Sequence, residues 1–525
     1  MGIHHLPLYV YVVLKNFLFD YLGSYGTPIA IILTAIVSII SLPVCLILLL
    51  IRFIISLIPR LRYKSNFVGM MNGTESSFNM CQMHMMTILY VEHDESFESF
   101  RTLVEDFLKA IKQSEFERLF YFRGSVLGYP FFYKKNLMVS DHILVMDDCN
   151  ESDILTDMAY RKQLHKYQKN KFLVEDGALF QAVLCKQPIE KRNRYALNLI
   201  SDHCCCDGNA MITMLRNFLE RQKVEQSVAN VSKPKTWRLH NMELPGIRVD
   251  NGFGSAKIVD QLVFGRYFED EPIRMSKVKS ISKKLNSAKF FNILSSCLCC
   301  ALYDYFGKRS GEIPKTLKIA MSIPPPMKSD SFGILVGAVI VKLPIGLHRN
   351  SPIRNLEYLE VETKTALESF DSDLLFWVIH NLSHLFPVSV LRFSQKFLGF
   401  SAVVSNFLGC DQLVMPDGSP VSDLIIFPDK PPESGGEPMQ FLVYSYKKCL
   451  RISLALNRNL VNDLDHTQRI LDETMNYLDH LHEQIVIKME KFKINLVNDL
   501  DHTQRILDET MNYLDHLWII FMNKS

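Results

Sequence analysis

The sequence carries almost no excess charge of either sign: its formal net charge is +2 over 525 residues. A chain that tracks nucleic acid needs a stripe of Lys and Arg to replace the counterions on phosphates. No such stripe is present, which argues against that class of partner. Paired cysteine spacing is also lacking. Of twelve cysteines, Cys204, Cys205 and Cys206 are consecutive, while Cys297, Cys299 and Cys300 crowd one segment. Cys297-x-x-Cys300 has no second Cys-x-x-Cys and no close His pair to complete a tetrahedral zinc site, so no metal is assigned. The thiols read as buried and reduced, in a reducing compartment.

A third absence is local. No charged residue occurs between Leu22 and Ile51. About 20 apolar residues suffice to cross a bilayer as a helix, and this run exceeds that. It is also longer than a signal peptide and has no small-residue cleavage site. Arg52, Arg60, Arg62 and Lys64 follow it, whereas Lys15 ahead of it is offset by Asp20. The positive-inside rule then puts the body in the cytosol. Pro43 either kinks one spanning helix or marks the bend of a hairpin, and both leave the body cytosolic. Residues 1–20 read as a further interfacial helix. Leu6 stands where a myristoylation signal on Gly2 needs Ser or Thr.

What is present is a globular body, 48% hydrophobic and 22% charged. Residues 65–78 read as a polar connecting loop. Met83 to Val91, Leu137 to Met146 (with His142), Leu179 to Cys185 and Tyr195 to Ile200 read as strands. Ser99 to Ile111 reads as a helix with Phe100, Leu103, Phe107 and Leu108 on one face. A polar stretch around Gln222 to Trp237 reads as a linker. In the second half, which starts near Ile273, Val278 to Tyr305 reads as one long amphipathic helix, and Leu374 to Phe397 as a helix broken near Pro387. Lys318 to Ile323, Ala338 to Leu343, Ala402 to Ser405, Met439 to Ser445 and Leu450 to Leu456 read as strands. Finally, Asn459 to Leu481 recurs residue for residue as Asn495 to Leu517. Two copies are too few for a solenoid, and only the first follows strands it can pack on. The expected organisation is a membrane anchor (1–64), a first unit (65–232), a linker (233–272), a second unit (273–485) and a duplicated terminal helix (486–525).

The segment richest in chemistry is His203-Cys-Cys-Cys-Asp207-Gly208. It follows a predicted buried strand and precedes a predicted helix, Asn209 to Gln222. A strand-end imidazole can take a proton from a hydroxyl or thiol while Asp207 holds the local chain. On the residues alone a plainer account stands equally: Asp207 or Asn209 is a helix N-cap and His203 a packed histidine. Asp202, by alternation along the strand, points away from His203 and is expected to face solvent. A thiol nucleophile among Cys204 to Cys206 would need an electropositive setting, and none is evident.

Strand–His203-x-x-x-Asp207-Gly208–helix resembles the chloramphenicol-acetyltransferase-like superfamily. Further features are similar to its wax ester synthase/diacylglycerol acyltransferase family: Val278-Lys279 through Phe306-Gly307 with Asn292, Ser322-Ile-Pro324 with Gly337 through Pro344, Val404-Ser405-Asn406-Phe407-Leu408-Gly409, and Ser140-Asp141-His142. The resemblance spans roughly residues 65–485. It departs from the family pattern where Asp202 replaces the first of two adjacent histidines, and where Leu408-Gly409-Cys410 replaces Pro-Gly-Pro. The leading membrane segment is absent from many bacterial members.

The resemblance implies an α/β fold of two chloramphenicol-acetyltransferase-like subdomains with a tunnel between them, behind an N-terminal transmembrane helix. It implies an acyl-CoA-dependent O-acyltransferase acting on a fatty alcohol or diacylglycerol, with acyl-CoA as co-substrate and no cofactor. His203 would be the general base and Asp207 a loop-orienting residue, paired with an Arg. Gly208, Ser405, Asn406 and His142 would line the substrate site. The 34 Phe and 22 Met suit a greasy tunnel. The endoplasmic reticulum membrane, or the lipid droplet, is the expected location, with a cytosolic catalytic body. Two rivals stand beside this reading. One is a same-superfamily enzyme for a small alcohol or amine, weakened because only Ser331-Phe332-Gly333 remains of the plant-type Asp-Phe-Gly-Trp-Gly. The other is an inactive membrane scaffold, which an intact His203 and Asp207 argue against. The sequence gives no oligomeric state.

Overall fold

The computed structural model describes residues 5–22, 26–81, 83–146, 155, 160, 164, 177–220, 236, 238–240, 262–268, 271–285, 288–308, 313–323, 337–395, 402–406, 409–429, 439–457 and 464–522. Most of the expected linker, Phe407 and Leu408 of the Ser-Asn turn, Pro324 and Ser331 to Gly333 lie outside these residues.

Two apolar helices lead, α1 (Leu6–Leu22) and α2 (Gly26–Tyr63). Pro43 lies inside α2, so the chain does not reverse there. The segment expected as a loop after α2 is structured: β1 (Phe67–Met70) and α3 (Gly73–Cys81). A reciprocal capping box starts α3. The Glu75 amide donates to Asn72 Oδ1 at 2.9 Å, and the Asn72 amide donates to Glu75 Oε2 at 2.7 Å.

The first unit continues with β2 (His84–Glu92), α4 (Phe97–Lys112), β3 (Phe122–Val126) and β4 (Tyr129–Tyr133). The expected strand Leu137 to Met146 is instead a 3-10 turn, Val139–His142, followed by a short β5 (Ile143–Met146). Asp141 accepts from the Met138 amide at 2.8 Å, a local bond that bends the chain before pairing begins. β6 (Phe180–Cys185), β7 (Arg194–Asp202) and α5 (Gly208–Leu219) follow.

The second half opens with β8 (Leu262–Phe268), inside the stretch read as linker. The expected long helix is two, α6 (Ile273–Lys284) and α7 (Phe290–Lys308). Next come β9 (Leu317–Ile323), β10 (Gly337–Leu343), α8 (Pro352–Glu368) and α9 (Asp371–Trp377). α9 runs into a π turn (Val378–Leu382), well before Pro387, where the sequence suggested the break. Then follow α10 (Val388–Gln395), β11 (Ala402–Asn406), β12 (Val421–Asp429), β13 (Met439–Tyr446), β14 (Cys449–Asn457) and α11 (Leu464–Met522).

Among the described residues three sheets result, in the orders β12-β2-β7-β6-β5, β10-β9-β11-β13-β14-β8 and β1-β4-β3. The fold is α/β, with a large mixed sheet in each half. The chain leaves the second sheet after β11, adds β12 antiparallel to β2 in the first, and returns as β13. Tyr444 ties the two: its hydroxyl donates to Leu424 O at 3.2 Å and accepts from the Ile426 amide at 2.9 Å. One core lies between the first sheet and α4 and α5, and it also takes in Leu442 and Tyr444 of β13. A second lies between the other large sheet and α6, α7, α8 and the start of α11. Asn292 is fully buried there. It donates to Glu360 at 2.8 Å and accepts from Thr363 at 2.9 Å, so it braces α7 against α8.

Candidate active site

β7 is buried along nearly its whole length because it sits inside the sheet, with β2 on one side and β6 on the other. Its last pair is Asp202 opposite His84, and the His203 amide extends the ladder one step by donating to Met83 O at 2.8 Å. The chain then turns: the Cys204 amide donates to Asp202 Oδ1 at 3.0 Å and the Cys205 amide to Asp202 O at 3.1 Å. Asp207 is the N-cap of α5, accepting from the Ala210 amide at 2.8 Å. Gly208, the first residue of α5, is buried. The plainer account of Asp207 therefore holds, and it is compatible with holding the His203 loop in place.

Asp202 does not face solvent. It is fully buried, its carboxylate paired with the Arg123 guanidinium and 3.9 Å from His84 Nε2. Alternation gives the face a side chain takes, and here that face is covered. Burial alone would raise the Asp202 carboxyl, but Arg123, His84 and the Cys204 amide outweigh it and hold it below the usual carboxylate range. Arg123 is placed by its own backbone, whose amide donates to Gly177 O at 2.6 Å. Gly177 has φ +73°, and a Cβ there would lie 2.4 Å from Arg123 O, so only glycine fits.

The His203 ring is 8% exposed and lies flat on Phe78 of α3, centroids 4.3 Å apart and planes 5° from parallel. Burial pushes its pKa down to about 4, against the opposing pull of its own carbonyl and of Asp202. It is a neutral imidazole at physiological pH, able to accept a proton. Nδ1 is sealed, and among the described residues it has no hydrogen-bond partner. Cys204 and Cys205 are fully buried, and burial raises both thiols far above their ordinary value, so neither is a ready nucleophile.

His142 ends the 3-10 turn and is buried, its Nδ1 3.2 Å from Phe180 O and its ring edge-on to Phe120 at 5.1 Å. Burial lowers its pKa as well. The structure thus places it among aromatic side chains beside β6, while the ring contact of His203 is with Phe78. Ser405 and Asn406 close β11. Val403 and Ser405 pair with Gln440 and Leu442 of β13, and Gln440 Nε2 lies 3.4 Å from Met83 Sδ, one residue before His84. The pleat puts Ser405 on the same face as Leu442, which packs in the first core, and Asn406 on the opposite face. Asn406 is exposed and Ser405 half-buried.

Sequence reasoning missed Phe78, Arg123 and Gln440. Phe78 was findable, since Asn72-x-x-Glu75 announces a helix start. Arg123 and Gln440 reach the site through long-range pairing that leaves no local signal.

Residues 333–481 match the family model described as the WS/DGAT C-terminal domain. The chain carries a WS/DGAT C-terminal domain. That match bears out the family resemblance, and it supports an acyltransferase. No curated protein sequence matches the chain. Among solved structures, the fold is similar to wax ester synthase/diacylglycerol acyltransferase from Marinobacter aquaeolei VT8, at 14% identity and TM-score 0.53, over 79% of this chain and 99% of that one. It is likewise similar to trichothecene 15-O-acetyltransferase from Fusarium sporotrichioides, at 12% identity and TM-score 0.54, over 79% and 94%. The epimerization domain from the third module of tyrocidine synthetase B is similar at 11% identity and TM-score 0.52, over 81% and 98%. At these identities the likeness is one of fold alone, and the family match itself lies in the second half of the chain.

Proposed function

We propose that this protein is a membrane-bound O-acyltransferase that moves a long-chain acyl group from acyl-CoA to a fatty alcohol or diacylglycerol. The observation that carries this is His203: a neutral, nearly buried imidazole at a strand end, held by backbone bonds, with Nδ1 sealed. Nε2 is the nitrogen left for the acceptor hydroxyl. It takes the hydroxyl proton as the alcohol oxygen bonds to the thioester carbonyl carbon. When the tetrahedral intermediate collapses, the carbon–sulfur bond breaks and the imidazolium returns the proton to the departing CoA thiolate. Alcohol and thioester meet directly, so no acyl-enzyme forms. Asp207 caps α5, and Asp202 with Arg123 anchors the strand end, which fixes the ring from both sides. Ser405, on the face turned toward the first unit, is better placed than Asn406 to donate to the developing oxyanion. Gly208 and His142 would help shape the acyl passage between the two units.

The uncharged stretch of α2 supports a membrane location, and the endoplasmic reticulum with a cytosolic body is the location proposed, the lipid droplet being the alternative. The test is a lipid assay in microsomes from expressing cells, with labelled acyl-CoA offered against fatty alcohol, diacylglycerol and a sterol. Ester should form with one of the first two and vanish in His203→Ala at unchanged protein level. Substantial ester from His203→Ala removes His203 as the base. Failure with every lipid alcohol but turnover of a small alcohol or amine favours the other enzymatic reading.

A further inference from the structure

A helix that crosses a bilayer once puts whatever precedes it on the far side from whatever follows it. The segment preceding α2 is not on a far side. Tyr9 of α1 stacks on Phe370 at 5.2 Å and on Trp377 of α9 at 4.5 Å, both in the acyltransferase body. Leu6 and Val12 share that cluster with Leu374 and Leu385, and so does Cys45 of α2. Residues 6–12 of α1 thus pack near residue 45 of α2, although Leu22 and Gly26 are nearly adjacent in sequence. The two helices therefore run antiparallel, as a hairpin whose open end rests on the body.

The outer face of α2 is built for lipid. Ile32, Ile36, Ile39, Ile40 and Leu46 are exposed, between 49% and 71%, and no charged residue lies from Leu22 to Ile51. A soluble surface does not carry such a patch. α1 is about 25 Å long at about 1.5 Å per residue, close to but short of the roughly 30 Å of hydrocarbon in a bilayer. Arg52 at the body end is turned inward, its guanidinium donating to Met71 O, two residues before α3.

We propose that α1 and α2 enter the bilayer as a hairpin from the body's own side, so that the start of α1 and the acyltransferase body share one face of the membrane. This rests on α2 being lipid-embedded; of the two topologies left open by the sequence it takes the hairpin, with the bend between Leu22 and Gly26 and not at Pro43. It also links the hairpin to the His203 ring. Arg52 ties α2 to the chain that leads into α3, and Phe78 of α3 carries the His203 ring. Phe78 lies five residues into α3, about 7.5 Å along the helix from Gly73.

The test uses the full chain in sealed microsomes, with one epitope tag ahead of Met1 and another after Ser525. Added protease should remove both tags while a lumenal marker stays protected, and both should stay with the membrane after alkaline carbonate. Protection of the first tag with loss of the second would show a single crossing and overturn the hairpin. Release of both tags by carbonate would remove the bilayer itself, and the inference with it, whether or not ester is formed.

Discussion

The Asp202 carboxylate is paired with the Arg123 guanidinium, fully buried, one residue before His203. Removing the arginine leaves an uncompensated charge in the interior. Arg123→Met should therefore cost about 3–5 kcal/mol, whereas replacing both partners with apolar residues should recover most of it. Chemical denaturation of the detergent-solubilised protein reads this directly. The pH sign is also fixed. A carboxyl held below its unfolded value stabilises at neutral pH, and that contribution is lost as pH falls below the ordinary carboxylate range. Arg123→Met should flatten that part of the acid-unfolding profile.

Desolvation of His203 makes a kinetic prediction. A base with a pKa near 4 stays unprotonated, and competent, well below the ordinary histidine value of 6.5. The acid limb of kcat/KM should fall near pH 4 and not near 6.5. Stability moves the other way: the unfolded chain takes up the proton first, so stability drops as pH goes from 6.5 toward 4. Phe78→Ala uncovers one ring face and should shift the acid limb up toward 6.5. Phe78→Leu, which keeps the cover, should shift it less. A limb unmoved by both substitutions would mean that the stack does not set the environment of the ring.

Gly73 starts α3, and a Cβ there would lie 2.2 Å from the carbonyl oxygens of both Ile379 and His380 in the π turn. Those are backbone atoms and cannot rotate away. Gly73→Ala should push α3 off the turn, at about 1–3 kcal/mol, and carry Phe78 with it. Thr74 Oγ1, 3.2 Å from His380 Nδ1, sits on the same contact. The expected result is a fall in melting temperature with a larger fall in kcat than in acyl-CoA affinity. Thr74→Val, which fits the same space, should give a milder version of both.

The parts of this fold that show in the sequence are those set by local periodicity. β7, α5 and the Asp207 cap follow from an apolar run, a helical stripe and a capping residue in succession. The parts that do not show depend on partners far along the chain. Arg123 reaches Asp202 from 79 residues earlier. β12 leaves the second half to pair with β2, and no pattern within residues 421–429 names that partner. Asp202 illustrates the limit: alternation gave its face correctly as opposite to that of His203, but whether that face is wet depends on what covers it. The split between α6 and α7 was hidden because the apolar residues on both sides of the break keep one helical phase.

The repeat makes the same point inside one helix. Ile470, Leu471 and Met475 are buried at 2%, 0% and 1%, while their sequence-identical counterparts Ile506, Leu507 and Met511 are exposed at 52%, 57% and 56%. Propensity, neighbours along the chain and side-chain volume are the same, so any difference in mutational cost comes from packing alone. Leu471→Ala removes a side chain from the second core and should cost about 2–5 kcal/mol. Leu507→Ala removes one that touches mainly water and should fall within about 0.5 kcal/mol of the parent. Denaturation midpoints of the two variants, at matched expression, decide it. Equal costs would mean that the second copy is covered as the first is, by another part of this chain or by a second molecule.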